Sequence, residues 1–321
     1  MNSAPERAAE SKTLPNHGVH AKTCWPATPR DWLTAHTRIR LGRFDRFSGV
    51  REFRARLITS LAREDHSIRF ATEYGFDVHL PASYRGYIDM ALAGQLFHTT
   101  LTAVTKENIR PGDIVIDGGS NVGFFALLAA KLLNGSGRVF AFEAEPDTFS
   151  LLRRNIARNG LAIVVQAEEQ ALADRDGTCD FFVDSEDPMM SSVVSCRPAS
   201  FRAIRTRTIS LDSYVATSRL GRVDVVKLDL EGGEPACIRG MQESIRGVRC
   251  LIMEVDPQRL ERQRISAHQF VDEVRDSGRF DEVWVCDEER GRLLRWESEA
   301  AVERVFSRCG YANLVLRRKA V

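Results

Sequence analysis

The stretch Val115–Ile116–Asp117–Gly118–Gly119–Ser120–Asn121–Val122–Gly123, followed by the apolar run Phe124–Leu133, decides the fold. A β-branched strand delivers the chain to a tight turn, and the turn opens a helix. Glycines at 118, 119 and 123 permit positive φ and close approach of the backbone to a ligand. The helix N-terminus presents free N–H groups and the positive end of its dipole. The spacing reads D-G-G-x-x-x-G, whereas a dinucleotide fingerprint reads G-x-G-x-x-G. A carboxylate at the end of the strand repels a pyrophosphate. It suits a ligand that carries an ammonium group, such as the methionyl end of S-adenosylmethionine. Asp117, Gly119, Ser120, Asn121 and Gly123 are therefore the first candidate cofactor-binding residues.

Downstream, short β-branched runs alternate with helix-length segments. Strands are expected at Ile114–Asp117, Arg138–Glu143, Ile163–Val165, Asp224–Leu228, Leu251–Val255, Glu282–Asp287 and Ala312–Arg317. Helices are expected at Val122–Leu132, Pro146–Asn159, Glu234–Ile245 and Ala267–Ser277. Such alternation implies a parallel sheet with helices on both faces. Asp180–Val183 and Arg205–Ile209 read as an inserted hairpin whose Ser/Met/Pro-rich loop is placed to cover a site. Upstream, 1–30 carries four of the eleven prolines and reads as a mobile arm. Residues 31–110 read as an extension: an Arg-rich amphipathic helical segment, then a strand pair, then a helix over Ile88–Glu107. This extension is a candidate substrate cap. The domain proper is expected over 111–321.

The second strand ends in Glu143, an acid placed to accept hydrogen bonds from both ribose hydroxyls of a nucleotide. Pro146 then opens the next helix at its first turn. At the third strand, Glu168 or Glu169 is placed to meet an adenine amino group, and Glu169 is retained as the candidate. The other cluster is Lys227–Leu228–Asp229–Leu230–Glu231–Gly232–Gly233–Glu234. Ligands of open α/β sheets sit outside the carboxyl ends of the strands. Asp229 and Glu231 belong to that edge, and Glu254 is near the end of the next strand. Crowded carboxylates raise one another's pKa, which suits a general base. The same oxygens suit a divalent cation. Asp229 is the first candidate base and Glu231 the second. Glu234 also reads as a helix-capping acid, and Lys227 as a buried ion-pair partner rather than a nucleophile.

Composition limits the partners. Forty-five Lys and Arg against 44 Asp and Glu leave a net charge of +1. That is too little basic excess for a chain relying on phosphate neutralisation, so a nucleic-acid partner is disfavoured. Seven widely spaced cysteines without a CxxC resemble neither a disulfide framework nor a zinc site. With no apolar leader at the N-terminus, a cytoplasmic setting is expected. The most apolar run, at ten residues, is too short for a transmembrane segment.

Five motifs in order carry a resemblance: Asp117–Gly123, Phe142–Pro146, Ala171–Asp174, Ser210–Ser213 and Lys227–Glu234. Together they resemble the FkbM family of S-adenosylmethionine-dependent methyltransferases, over roughly residues 110–256 and more loosely to the C-terminus. The resemblance implies a class I methyltransferase fold, a Rossmann-like, seven-stranded, mostly parallel sheet. It implies O-methylation of a small-molecule hydroxyl acceptor, a sugar or natural product. It carries Asp117, Gly119 and Asn121 to the methionyl end of the cofactor, Glu143 to the ribose, and Asp229 and Glu231 to the neighbourhood of the transferable methyl. Ser120 stands where the family usually has Ala, and Ala144–Glu145 where it often has Pro-Asp. Two other classes remain as rivals. A nicotinamide oxidoreductase is disfavoured by the missing G-x-G-x-x-G. A degenerate binding module is disfavoured by the intact acids.

Overall fold

The computed structural model describes residues 11–13, 67–81, 84, 99–184 and 201–319. Its centre is a nine-stranded sheet. The parallel strands are β4 (Ile114–Gly118), β5 (Arg138–Glu143), β6 (Val165–Glu169), β10 (Val225–Leu228) and β11 (Cys250–Val255). β14 (Ala312–Arg317) runs antiparallel between β11 and β12 (Glu282–Asp287). β13 (Arg292–Arg295) and β1 (Ser11–Thr13) extend that edge, giving the order β1-β13-β12-β14-β11-β10-β4-β5-β6. This is the Rossmann-like arrangement expected of a class I methyltransferase, with the sheet enlarged beyond seven strands. The seven expected strands all form. The correction is the pair added at the edge. β12 folds back through Glu288–Arg290 into β13, and Ser11–Thr13, part of the expected mobile arm, pairs with Arg292–Leu294.

Strand alternation divides the core. Val115, Ala141, Val225, Ile252 and Val315 face one layer, together with α1 (Thr99–Asn108), α2 (Phe124–Leu132) and α3 (Pro146–Arg158). Ile116, Phe142, Val226, Leu251 and Leu314 face the other. That second layer holds α4 (Leu211–Thr217), α5 (Glu234–Arg239), α6 (Pro257–Arg262), α7 (Ala267–Gly278) and α8 (Glu299–Cys309). A period of two along buried parallel strands produces this division. α2 has no polar face along Phe125–Ala130 because it lies wholly inside its layer. Among the described residues, no helix is long and apolar enough to cross a membrane.

Two expected boundaries shift for physical reasons. β6 starts at Val165, and Ile163 is 91% exposed in the turn before it. As the sheet's edge strand, β6 buries little and carries the polar run Gln166–Glu169. The helix expected over Glu234–Ile245 stops at Arg239, because the Asp212 carboxylate accepts hydrogen bonds from the Glu243 and Ser244 N–H groups and draws the chain aside. The inserted hairpin forms as β8 (Gly177–Asp184) and β9 (Phe201–Ile209), with β7 (Ala171–Leu172) beside β9. Its loop and the Arg-rich segment lie outside the described residues, as does most of the helix expected over Ile88–Glu107. The described part of that last helix is α1. The strand pair is β2 (Ser67–Ala71) with β3 (Asp77–Pro81), and β3 packs on α3.

Candidate active site

β4 lies between β5 and β10, so the chain leaves its carboxyl end in opposite directions and opens a crevice there. The D-G-G-S-N-V-G turn fills the floor of that crevice. Gly119 has φ +71°, and a Cβ on it would lie 1.9 Å from the Asp229 carbonyl oxygen. Only glycine lets the two loops touch. Ser120 donates its hydroxyl to the Asp117 carbonyl at 2.8 Å and its N–H to Phe142 O, so the side chain closes the turn. Gly123, also at positive φ, caps α2 and packs against Leu152. Asn155 on α3, which sequence reasoning missed, donates to Val122 O at 2.8 Å and pairs with both backbone groups of His79. It thereby fixes the turn to β3.

The turn presents unpaired acceptors. Asp117 is 0% exposed, and neither carboxylate oxygen has a hydrogen-bond partner among the described residues. The Lys227 ammonium is 3.7 Å from Oδ1. Burial raises the Asp117 pKa, against the pull of Lys227. The Asn121 Oδ1 is buried and unpaired as well, on a residue with φ +50°. A buried acceptor without a partner costs about 1–3 kcal/mol, and more when charged. Glu143 accepts from Asn121 N at 2.8 Å and Glu145 N at 2.9 Å, one bond to each oxygen. Burial pushes its carboxyl up to about 7, although those N–H donors favour the charged form. Each Glu143 oxygen keeps a second lone pair for a ligand. Glu145 is the N-cap of α3, accepting from Thr148 N. Glu169 is in register beside Glu143 and exposed, whereas Glu168 is bound to the Tyr214 hydroxyl at 2.9 Å.

Across the crevice the acids are tied by cations. Lys227 bonds Asp229 at 3.2 Å and Gly119 O at 3.3 Å, and lies over the Phe125 ring. Burial opposes its charge, but Asp229 and Asp117 outweigh it and raise its pKa. It is the ion-pair partner expected from the sequence. Glu231, at φ +53°, is ion-paired to Arg259 of α6, whose Nε also bonds Asp256 at 3.1 Å. Burial and then Asp229 push Glu231 up to about 8, against Arg259. Glu234 caps its own turn, accepting from Leu230 N at 2.6 Å and Gly232 N at 3.0 Å. Asp229, Glu231 and Glu254 each bring one carboxylate oxygen to within 4.8 Å of the others. Arg259, Asn313 and Tyr311 also belong to this edge, and sequence reasoning missed all three. Arg259 is foreshadowed only by its place three residues after the helix-capping Asp256.

A mixed α/β sheet whose parallel centre opens an acid-lined crevice at its switch point is a Rossmann-like fold, which binds ligands at that place. The family model described as the methyltransferase FkbM domain matches residues 117–311, more than half of the chain, and the protein belongs to that family. Hexuronic acid methyltransferase AglP of Haloferax volcanii is 29% identical over 150 residues, covering 46% of this chain and 58% of its own. The 31-O-demethyl-FK506 methyltransferase FkbM of Streptomyces tacrolimicus is 24% identical over 180 residues, covering 46% of this chain and 68% of its own. The chain thus spans well under two thirds of AglP. Among solved structures, methyltransferase FkbM from Methylobacillus flagellatus KT aligns with TM-score 0.40 at 11% identity, covering 83% of this chain and 59% of that one.

Proposed function

We propose that the protein transfers a methyl group from S-adenosylmethionine to a hydroxyl of a small molecule, a sugar or natural product. The observation that carries the reading is the buried Asp117 carboxylate at the glycine turn, whose oxygens accept no hydrogen bond among the described residues and meet only the Lys227 ammonium at 3.7 Å. An ammonium group of a ligand would donate the hydrogen bonds it lacks. The residues around it fit the rest of that cofactor. Gly119 and Gly123 admit its backbone-hugging end, Asn121 offers a free acceptor, Glu143 has lone pairs for the ribose, and Glu169 stands beside it toward the base. Ser120 contributes by holding the turn.

The cofactor supplies an electrophilic methyl on sulfur when bound. The chain's part is alignment and exclusion of water, for which orientation alone is worth roughly 7–11 kcal/mol. Asp229 and Glu231 border the methyl position on the acceptor side. The names of AglP, a hexuronic acid methyltransferase, and of the Streptomyces tacrolimicus 31-O-demethyl-FK506 methyltransferase support a sugar or natural-product acceptor, and the second name supports an oxygen as the methylated atom.

Calorimetric titration with S-adenosylmethionine and S-adenosylhomocysteine tests the cofactor. Micromolar binding is expected, weakened by about 1.5–3 kcal/mol in Glu143→Ala. It should strengthen as pH rises through about 7, where Glu143 ionises. Folded protein that binds neither ligand overturns the reading. Radiolabelled methyl transfer to a panel of neutral glycosides, uronic glycosides and macrolide alcohols then tests the acceptor.

A further inference from the structure

Glu143, Asp117, Lys227, Glu254 and Asn313 lie on one face of the sheet, Asp117 and Lys227 in one row and Glu143, Glu254 and Asn313 two residues farther along their strands. β5, β4, β10, β11 and β14 each contribute one member at the crevice edge. Register sets this placement. Lys227 pairs with Asp117 on one side and Ile252 on the other, and Glu254 pairs with Asn313. The set begins in the cofactor half and continues past Asp229 into β11 and β14.

The three acids at the far end differ in what holds them. Asp229 is bound by Lys227 at 3.2 Å, and Glu231 by Arg259. Among the described residues, the Glu254 carboxylate has neither a hydrogen bond nor an ion pair. Its cross-strand neighbour Asn313 is 4% exposed, and its amide likewise makes no hydrogen bond to a described residue. A lone acceptor beside a buried amide matches a hydroxyl, which both donates and accepts.

We propose that Glu254 takes the proton of the acceptor hydroxyl and that Asn313 orients that hydroxyl. The assignment rests on the methyltransferase reading and gives Asp229 and Glu231 supporting positions. As the oxygen–carbon bond forms, the O–H proton passes to the Glu254 carboxylate. The carbon–sulfur bond breaks with its electron pair left on sulfur. Charged and titratable groups face Glu254 from every side: Lys227 from β10, Asp229 and Glu231 from the turn after it, Glu234 from the start of α5, Asp256 from the N-cap of α6, Arg259 from α6, and Tyr311 from the approach to β14. Burial, then Asp229, Glu231 and Glu234, hold Glu254 well above the ordinary carboxylate range, which makes it a stronger proton acceptor than an exposed carboxylate.

The test uses two sulfonium analogues of the cofactor in which the methyl is replaced by a propyl or by a 3-hydroxypropyl arm. Calorimetry on the wild type should show the hydroxyl arm binding about tenfold to a hundredfold more tightly than the propyl arm. Glu254→Gln and Asn313→Ala should each erase most of that gain while keeping S-adenosylhomocysteine affinity within about twofold, which also reports that they fold. On whichever panel compound is methylated, Glu254→Gln should lower kcat by about 10²–10⁴-fold and remove the acidic limb of the pH profile, whereas Asp229→Asn keeps that limb. An equal hydroxyl gain in Glu254→Gln overturns the assignment, and so does no gain in the wild type. Failure of both analogues in protein that binds S-adenosylhomocysteine also overturns it. If S-adenosylhomocysteine itself fails to bind, the methyltransferase reading falls, and this assignment with it.

Discussion

The two halves of the crevice are built differently. The cofactor half, Asp117 to Glu145, comes from one continuous β4–α2–β5 unit, and backbone groups do much of its work. Asn121 N and Glu145 N hold Glu143, and Phe142 O holds the glycine turn. The acceptor half is assembled from β10, the β11–α6 unit and β14, which are separated in the chain, and long cationic side chains hold two of its acids, Asp229 and Glu231. A ligand common to many enzymes can be served by one compact motif. A ligand that varies is better served by side chains on separate elements, each replaceable without disturbing the turn. The halves meet at the Gly119–Asp229 contact, where Asp229 N also bonds Gly118 O at 3.1 Å.

Breaking that joint should have the largest effect. Gly119→Ala places a side chain at φ +71° with its Cβ 1.9 Å from Asp229 O. Left-handed backbone costs an L-residue about 1–2 kcal/mol, and the overlap pushes the loops apart besides. A fall in Tm of several degrees is expected, with S-adenosylhomocysteine affinity reduced on the order of 100-fold. Unchanged Tm and affinity would show that the halves are not locked together.

The comparison explains what the sequence made legible. Asp117, Gly119, Asn121 and Glu143 sit in one continuous β4–α2–β5 unit, so their meeting could be read from two neighbouring motifs. The buried strands formed where expected because they announce themselves as apolar runs, whereas the polar edge strand β6 shifted by two residues. β13, only four residues and flanked by arginines, did not announce itself. Asn313 and Tyr311 were illegible for another reason. Their place beside Glu254 follows from the antiparallel register of β14 on β11, which no local pattern specifies. Arg259 was hidden likewise, its partner Glu231 lying beyond an intervening strand.

A smaller effect sharpens the electrostatic side of the comparison. Burial raises Glu143 and Glu234 to about 7 and Glu231 to about 8, from 4.5 in each case. Between 4.5 and these values the folded state binds more protons than the unfolded chain, so the stability these three groups contribute falls as pH rises and levels off above about 8. Two of the three groups lie in the acceptor half, so that half should dominate the slope. Tm measured from pH 5 to 9 should decline by several degrees, and Glu231→Gln should flatten the last part, between about 7 and 8. A Tm that climbs from pH 5 to 8 would reverse the assignment of these carboxyls.

The smallest effect concerns divalent cations. Asp229, Glu231 and Glu254 stand close enough for oxygen ligation, within 4.8 Å of one another. Yet Lys227 already meets the charge of Asp229, and Arg259 that of Glu231. A dication would have to enter beside two fixed cations, losing part of the attraction that draws it to bare carboxylates. Millimolar Mg²⁺ or Mn²⁺ should therefore shift the Tm by less than about 1 °C, and chelation should change methyl transfer less than about twofold. A larger stabilisation by Mn²⁺ would mean that Arg259 swings away from Glu231 in solution. The acceptor half would then be held by a metal rather than by side chains, and the contrast with the backbone-built cofactor half would rest on different chemistry.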